Sequence, residues 1–102
     1  MEVRYEDRDL ERTCADERTM FKKRADVADK LRLRVNALRI ASKVGDLRSL
    51  DPLGDWHPLT SNRAGTWAGK LSRNQRLVIR PDGEGAAADA VTVTVIEIFD
   101  YH

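Results

Sequence analysis

The sequence contains one cysteine, few aromatic residues and no long apolar run. Cys14 has no second cysteine with which to form an internal disulfide, and one thiol cannot supply a cysteine-rich zinc site. Apolar residues nowhere approach the roughly 18 in succession that a membrane-spanning helix requires. The first residues, Met1 to Tyr5, alternate charge with β-formers and lack the apolar segment of a secretory signal. We therefore expect a cytoplasmic protein without disulfides or a membrane anchor.

Lysine and arginine are missing from the last part of the chain, although the net charge is +1. Residues 81–102 contain five acidic side chains and no lysine or arginine, whereas residues 21–50 contain nine basic and three acidic side chains. Salt screens each charge beyond about 8 Å at physiological ionic strength, so a basic middle segment can attract polyanions although the whole chain is nearly neutral. Ordinary exposed lysines and arginines on a helix would give the same pattern, and charge alone leaves both interpretations open.

The first half of the chain predicts a short strand and two helices. Residues 2–5 alternate as a strand does, and Asp7 or Asp9 is a suitable N-cap for a helix that continues to Lys23. A second helix, ending at Gly45, is indicated by apolar residues at every third or fourth position: Val27, Leu31, Val35, Leu38 and Ala41. Its opposite side is basic and is expected to face outward, with Lys30, Arg32, Arg34, Arg39 and Lys43.

The second half predicts a long loop and three strands. Residues 46–66 contain two prolines and two glycines and show no helical or strand period, and loops of this length more often carry function than merely connect. Residues 66–71, 75–80 and 90–99 are rich in β-formers and are separated by turn residues, so they should pair as an antiparallel sheet. We expect one α+β domain, residues 1–102, in which a short N-terminal strand and a two-helix hairpin pack on one face of that sheet.

Two histidines are the first candidates for chemistry. His57 lies in the predicted loop, and His102 follows Asp100 and Tyr101 at the exit of the last strand. Cleavage of an RNA phosphodiester needs a base for the 2′-hydroxyl, a charge to stabilise the phosphorane and an acid for the leaving oxygen, and histidine exchanges protons near neutral pH. Taken singly, a His-Pro pair is more often a bend and a terminal histidine is more often exposed to solvent.

A set of short motifs is more specific than either histidine. The chain contains His57-Pro58-Leu59, then Arg63-x-Gly65-x-Trp67, Asn74-x-Arg76 and Asp100-Tyr101-His102. Together they resemble the HigB family, the plasmid maintenance killer branch of the RelE/ParE toxin superfamily. The resemblance implies a RelE-like fold, ribosome-dependent cleavage of translated mRNA without a metal or other cofactor, and neutralisation by a HigA-type helix-turn-helix antitoxin. Operator DNA would be bound only through that antitoxin.

The resemblance also implies roles for individual residues. His57 and His102 would divide the acid and base work, in an order that the sequence leaves open. Asp100 would orient an imidazole or assist proton transfer, Tyr101 would stack on a base or steady the phosphate, and Arg76 would stabilise the developing charge.

Other motif residues have less specific expectations. Arg63, Arg73 and Asn74 are candidate RNA contacts, although Arg63 beside a glycine turn would serve equally well as a structural partner. Gly65 is expected to permit that turn, and Trp67 is expected to pack in the core.

Two departures from the family pattern keep alternatives open. Thr60 and Ser61 stand where these toxins often have lysine and glycine, and the net charge is low for a toxin that enters the ribosome. One alternative is a non-catalytic inhibitor of DNA gyrase that resembles the ParE toxins, and another is an attenuated toxin that retains only antitoxin binding. His57 and the terminal Asp100-Tyr101-His102 favour the nuclease, because a pure inhibitor needs no titratable groups around Arg76. A metal site is not expected, because the spacing of Cys14, His57, Asp100 and His102 fits none.

Overall fold

The structure, a computed structural model, describes residues 1–101, so His102 lies outside the described residues. Its helices and strands, in chain order, are β1 (Glu2–Tyr5), α1 (Arg8–Ala15), α2 (Glu17–Lys23), α3 (Ala28–Ile40), α4 (Leu47–Leu50), β2 (His57–Pro58), β3 (Trp67–Lys70), β4 (Gln75–Pro81) and β5 (Thr92–Asp100). None of the helices in residues 1–101 is long and apolar enough to cross a bilayer.

The strands form one five-stranded sheet in the order β1-β5-β4-β3-β2. Strands β3 to β5 pair antiparallel as predicted. Strand β2, within the predicted loop, also pairs antiparallel with β3, while β1 runs parallel to β5, with Val3 opposite Val93. Strand β5 is therefore an interior strand, paired along both of its edges. The helices cover one face of the sheet, and the predicted α+β fold is confirmed.

The helical boundaries differ from the predicted ones at two places. The first helix is interrupted at Asp16, which has extended backbone angles, ends α1 and accepts a hydrogen bond from Thr19 Oγ1 (2.7 Å). Aspartate side chains bond to nearby polar groups in non-helical conformations, so they favour helix ends. Asp7 caps α1 as predicted, because its Oδ1 accepts from the Leu10 amide (2.8 Å). Helix α3 ends at Ile40, before Gly45.

The hydrophobic core lies between the helices and the sheet. Leu31 and Leu38 of α3 are fully buried, and Trp67, at 6% exposure, packs in the same cluster as predicted. On the sheet side the core is formed by residues that alternate along the strands, namely Leu77, Ile79, Val93 and Val95. This alternation leaves a second sheet face that the core cluster does not use.

The prediction that Arg34 faces outward is wrong. Arg34 is 3% exposed, and its Nη1 donates to Asp51 Oδ1 (3.1 Å). The same guanidinium donates to the backbone oxygens of Lys70 (2.7 Å) and Leu53 (3.0 Å), so its charge and its donors are satisfied inside the protein. Breaking a buried pair from one side costs about 3–5 kcal/mol. Arg34 therefore ties the segment around Asp51 to α3 and β3. The other basic residues predicted on this side of α3 are exposed: Lys30, Arg32, Arg39 and Lys43.

Residues 46–66, predicted as a loop without regular structure, contain α4, two 3-10 turns and β2. Trp56 anchors this segment: its side chain is 2% exposed, and its Nε1 donates to Asp51 Oδ2 (3.0 Å). The indole ring occupies the space beside Gly69 of β3, where a Cβ atom would lie 2.6 Å from it. The ring therefore fits only because residue 69 has no side chain, and His57 follows directly on β2.

Candidate active site

The sheet has a helix-covered face and a second face, the open face, on which Val78 and Ala68 are nevertheless buried. Alternate residues of a strand point to opposite sides, and directly opposed residues of antiparallel strands point to the same side. Because Leu77 and Ile79 of β4 lie in the core, their neighbours Arg76 and Val78 belong to the open face. The register then assigns further residues to the open face: His57, Ala68 and Glu97 in the row of Val78, and Lys70 and Phe99 in the row of Arg76.

Arg76 and Tyr101 lie together at the end of β5. The Arg76 guanidinium donates from Nη1 to the backbone oxygens of Ser72 (2.6 Å) and Gln75 (2.9 Å), and its Cζ lies 5.5 Å from the centre of the Tyr101 ring. The Tyr101 ring meets Phe99 edge to face at 4.6 Å, and its amide donates to the Asn74 carbonyl (2.7 Å). Within residues 1–101 no carboxylate lies within 4 Å of the Arg76 guanidinium.

Asp100 is directed away from this pair. Its Oδ1 lies 3.5 Å from Arg24 Nη2, just beyond the end of α2. Arg24 also lies 3.6 Å from Asp26, and Gln75 Nε2 donates to Asp26 Oδ2 (3.0 Å), which together with Arg24 lowers the pKa of Asp26. The expected contact between Asp100 and an imidazole is not formed in the described part of the chain, because successive strand residues point to opposite faces.

His57 is held by the backbone of Asp55. The imidazole Nδ1 lies 2.7 Å from the Asp55 carbonyl oxygen, and Asp55 has left-handed backbone angles (φ 46°, ψ 47°) that aspartate tolerates better than most residues. A carbonyl oxygen only accepts hydrogen bonds, so Nδ1 carries the proton. In the neutral ring Nε2 is therefore the basic nitrogen. From strand spacing and rise, the Cα atoms of His57 and Arg76 lie roughly 12 Å apart on the open face.

A cleft of about 330 Å³ adjoins His57. Arg48 forms another part of its wall: Nε donates to the Trp56 carbonyl (3.1 Å), and Cζ lies 5.1 Å from the centre of the Trp67 ring. Pro52, Trp56 and the acidic Asp55 complete the lining. Arg48 and His57 therefore line the same small depression at the edge of the sheet.

Arg63 is used within the protein. Its Nη1 donates to Glu97 Oε1, and its Cζ lies 3.9 Å from the centre of the Phe99 ring. Of its two expected roles, the structure therefore contains the structural one, with Glu97 and Phe99 as partners. The predicted turn at Gly65 is confirmed by its φ of +93°. Arg73 and Asn74 are exposed in the β3–β4 turn, beside Tyr101.

Sequence reasoning missed several residues of this region. Glu97 had a usable signal, since it is the only charged residue in the apolar run from Val91 to Phe99. No feature of the sequence indicated Arg48 or Asp55, because the positions of both residues depend on the burial of Trp56. In the described residues no group of three His, Cys, Asp or Glu side chains is arranged to hold a metal ion.

Comparison with known proteins supports the fold. Neither a protein-family model nor a curated protein sequence matches the chain. Among solved structures, the chain is similar to a YoeB/ParE toxin from Agrobacterium tumefaciens, with a TM-score of 0.59 and 22% sequence identity. The match covers 100% of this chain and 99% of that chain. The chain therefore has the fold of that toxin over its whole length.

Proposed function

We propose that the protein is the toxin of a type II toxin-antitoxin system, of the HigB branch, and that it cleaves translated mRNA on the ribosome. One observation carries the proposal: the open face presents an imidazole with a basic Nε2 and an arginine without a carboxylate partner in residues 1–101, beside an exposed tyrosine. The motifs around His57 and Arg76, and the YoeB/ParE-like fold, support the same interpretation.

The proposed chemistry is acid-base cleavage. His57 Nε2 takes the proton of a ribose 2′-hydroxyl, the 2′-oxygen bonds to phosphorus, and the bond from phosphorus to the 5′-oxygen breaks. Arg76 stabilises the negative charge on the phosphorane, and His102, outside the described residues, is the candidate acid that protonates the 5′-oxygen. The products are a 2′,3′-cyclic phosphate and a 5′-hydroxyl. Each well-placed acid or base contributes about 10²- to 10⁴-fold in rate.

The remaining residues have supporting roles in this proposal. Tyr101 stacks on an RNA base, as aromatic side chains do with unpaired bases. Arg73 and Asn74, exposed in the adjoining turn, contact the RNA backbone. Asp100 acts through Arg24, holding the end of β5 against the helices so that Tyr101 stays beside Arg76. A HigA-type antitoxin in the cytoplasm neutralises the toxin and carries it to operator DNA.

The test is primer extension on translated mRNA after induction of the toxin. The expected result is new 5′ ends within codons for the wild-type protein and a loss of about 10²-fold or more in cleavage for His57→Ala and Arg76→Ala. Arg80→Ala is the matched control, because Arg80 lies on the same strand but is paired with Glu6 and Asp82. Unchanged 5′ ends in His57→Ala would contradict the proposed mechanism.

A non-catalytic inhibitor of DNA gyrase, of the ParE kind, is the second candidate. The observation that favours it is the roughly 12 Å between His57 and Arg76, together with the opposite orientation of Asp100. The same induction experiment separates the candidates, since gyrase inhibition would stall replication without new mRNA ends. An attenuated toxin would bind the antitoxin and produce neither effect.

A further inference from the structure

Two arginines, Arg48 and Arg76, share an arrangement that the ion-paired arginines lack. Six arginines lie within 4 Å of a carboxylate: Arg4, Arg24, Arg32, Arg34, Arg63 and Arg80. In Arg48 and Arg76 the guanidinium is held by backbone carbonyls beside an aromatic ring, and in the described residues neither has an acidic partner at that distance. Arg76 already has a role in the proposed function, whereas Arg48 has none.

Arg48 is oriented by buried neighbours. The preceding residue, Leu47, is fully buried and fixes α4 to the core. The carbonyl that accepts from Arg48 Nε belongs to Trp56, whose own ring is buried and bonded to Asp51. A planar guanidinium held in this way loses less conformational entropy on binding a ligand than a free side chain does, and its two remaining nitrogens suit a phosphate.

The position of Arg48 relates it to the proposed chemistry. The cleft that it lines with His57, about 330 Å³, is at the lower end of ligand-site volumes and suits a single nucleotide unit. We propose that this cleft is an RNA subsite, in which Arg48 binds the phosphate of a nucleotide next to the one that His57 deprotonates. The proposal rests on the proposed function, and it adds a phosphate contact beside His57 that the proposed chemistry does not use.

The charge of Asp55 allows a second test of the proposed phosphate subsite. Asp55 lines the same cleft and its negative charge would repel a phosphate bound there, whereas its contact to His57 is made by the backbone. Asparagine tolerates left-handed backbone angles as aspartate does, so Asp55→Asn removes the charge and keeps the turn. If a phosphate binds beside Arg48, Asp55→Asn strengthens RNA binding while Arg48→Ala weakens it.

The experiment measures the Kd of a short single-stranded RNA whose riboses carry 2′-O-methyl groups, which removes the nucleophile and prevents cleavage. Arg48→Ala is expected to raise Kd about five-fold near physiological salt and to reduce the slope of log Kd against log salt by about 0.7, the value of one phosphate contact. Arg48→Lys should restore most of the slope. Arg80→Ala removes the same charge from a paired position and is expected to change Kd less than two-fold.

Two results would overturn the subsite: equal effects of Arg48→Ala and Arg80→Ala on Kd, or weaker RNA binding by Asp55→Asn. Thermal unfolding of each variant identifies any that fail to fold, and Asp55→Asn keeps the test decisive if Arg48→Ala does not fold. Because the modified RNA is not cleaved, the binding result is independent of catalysis. If the wild-type protein does not cleave unmodified mRNA, that result counts against the proposed function and not against RNA binding at the subsite.

Discussion

The imidazole Nδ1 of His57 lies 2.7 Å from the backbone carbonyl oxygen of Asp55. Since that oxygen has no proton to give, the neutral imidazole is expected to carry its proton on Nδ1, and nitrogen-15 NMR of the side chain measures this directly. Valine in a left-handed conformation costs about 1–2 kcal/mol, so Asp55→Val should move the carbonyl and produce a mixture of tautomers. The proposed cleavage should fall with the fraction of the Nδ1–H form.

Asp55→Gly is the matched control for this prediction, because glycine adopts the same backbone angles without strain. It should keep the Nδ1–H tautomer and the kcat of the proposed cleavage. Comparing each spectrum with that of His102→Ala assigns the signals to His57. A predominant Nε2–H form in the wild-type protein would contradict the role given to Asp55.

The contact between Arg24 and Asp100 should affect activity more than stability. Both side chains are partly exposed, and a pair of this kind contributes about 0.5 kcal/mol. Arg24→Ala is therefore expected to lower the free energy of unfolding only slightly, while kcat for mRNA cleavage falls several-fold because the end of β5 no longer holds Tyr101 beside Arg76. Arg24→Lys should recover part of kcat. Urea unfolding and cleavage kinetics on the same preparations make the comparison, and a kcat that tracks stability alone would refute it.

Gly69→Ala should disturb the site from inside the core. The added Cβ would lie 2.6 Å from the Trp56 ring, and overpacking of this kind costs about 1–3 kcal/mol. The expected results are a lower midpoint of urea unfolding and a changed His57 NMR signal. Gly85→Ala is the control, since a Cβ there meets no atom within 4 Å. Equal stability of the two variants would show that the ring is not confined.

Cys14 should resist alkylation in the folded protein. Burial raises the pKa of its thiol to about 12, from an ordinary value of 9.0, so very little thiolate forms at pH 8. Iodoacetamide should label Cys14 only after unfolding in urea. Because the folded pKa is raised, this thiol contributes stability that is complete below about pH 9 and is lost as the pH rises toward 12. Cys14→Ala should lack this alkaline loss, and rapid labelling of the native protein would contradict the prediction.

Local signals predicted most of the strands. Strands β3, β4 and β5 lie within two residues of their predicted bounds, because turn residues such as Pro81 and Gly83 act within their own neighbourhood. Alternation along β5 also contains the information that Asp100 and Tyr101 point to opposite faces. The motif suggests that Asp100 and Tyr101 belong to one site, whereas the strand geometry directs their side chains to opposite faces of the sheet.

Pairings between distant segments were not predictable. Arg34 looks like one more basic residue on a helix, and its burial depends on Asp51 arriving from a segment without any period. Arg63 likewise meets Glu97 only after β2 and β5 are placed in the same sheet. Charge patterns along a sequence cannot distinguish an arginine that binds a ligand from one that is neutralised within the protein.

The Trp56 ring, which occupies the space that a side chain at Gly69 would fill, links the position of His57 to the hydrophobic interior. His57 is attached to a residue whose position is decided by packing rather than by the surface. The rate of the proposed cleavage can therefore be altered through interior volume, without any change in the groups proposed to contact RNA. Among natural variants of this protein, changes in that rate are expected to accompany compensating changes in the size of residues 56 and 69.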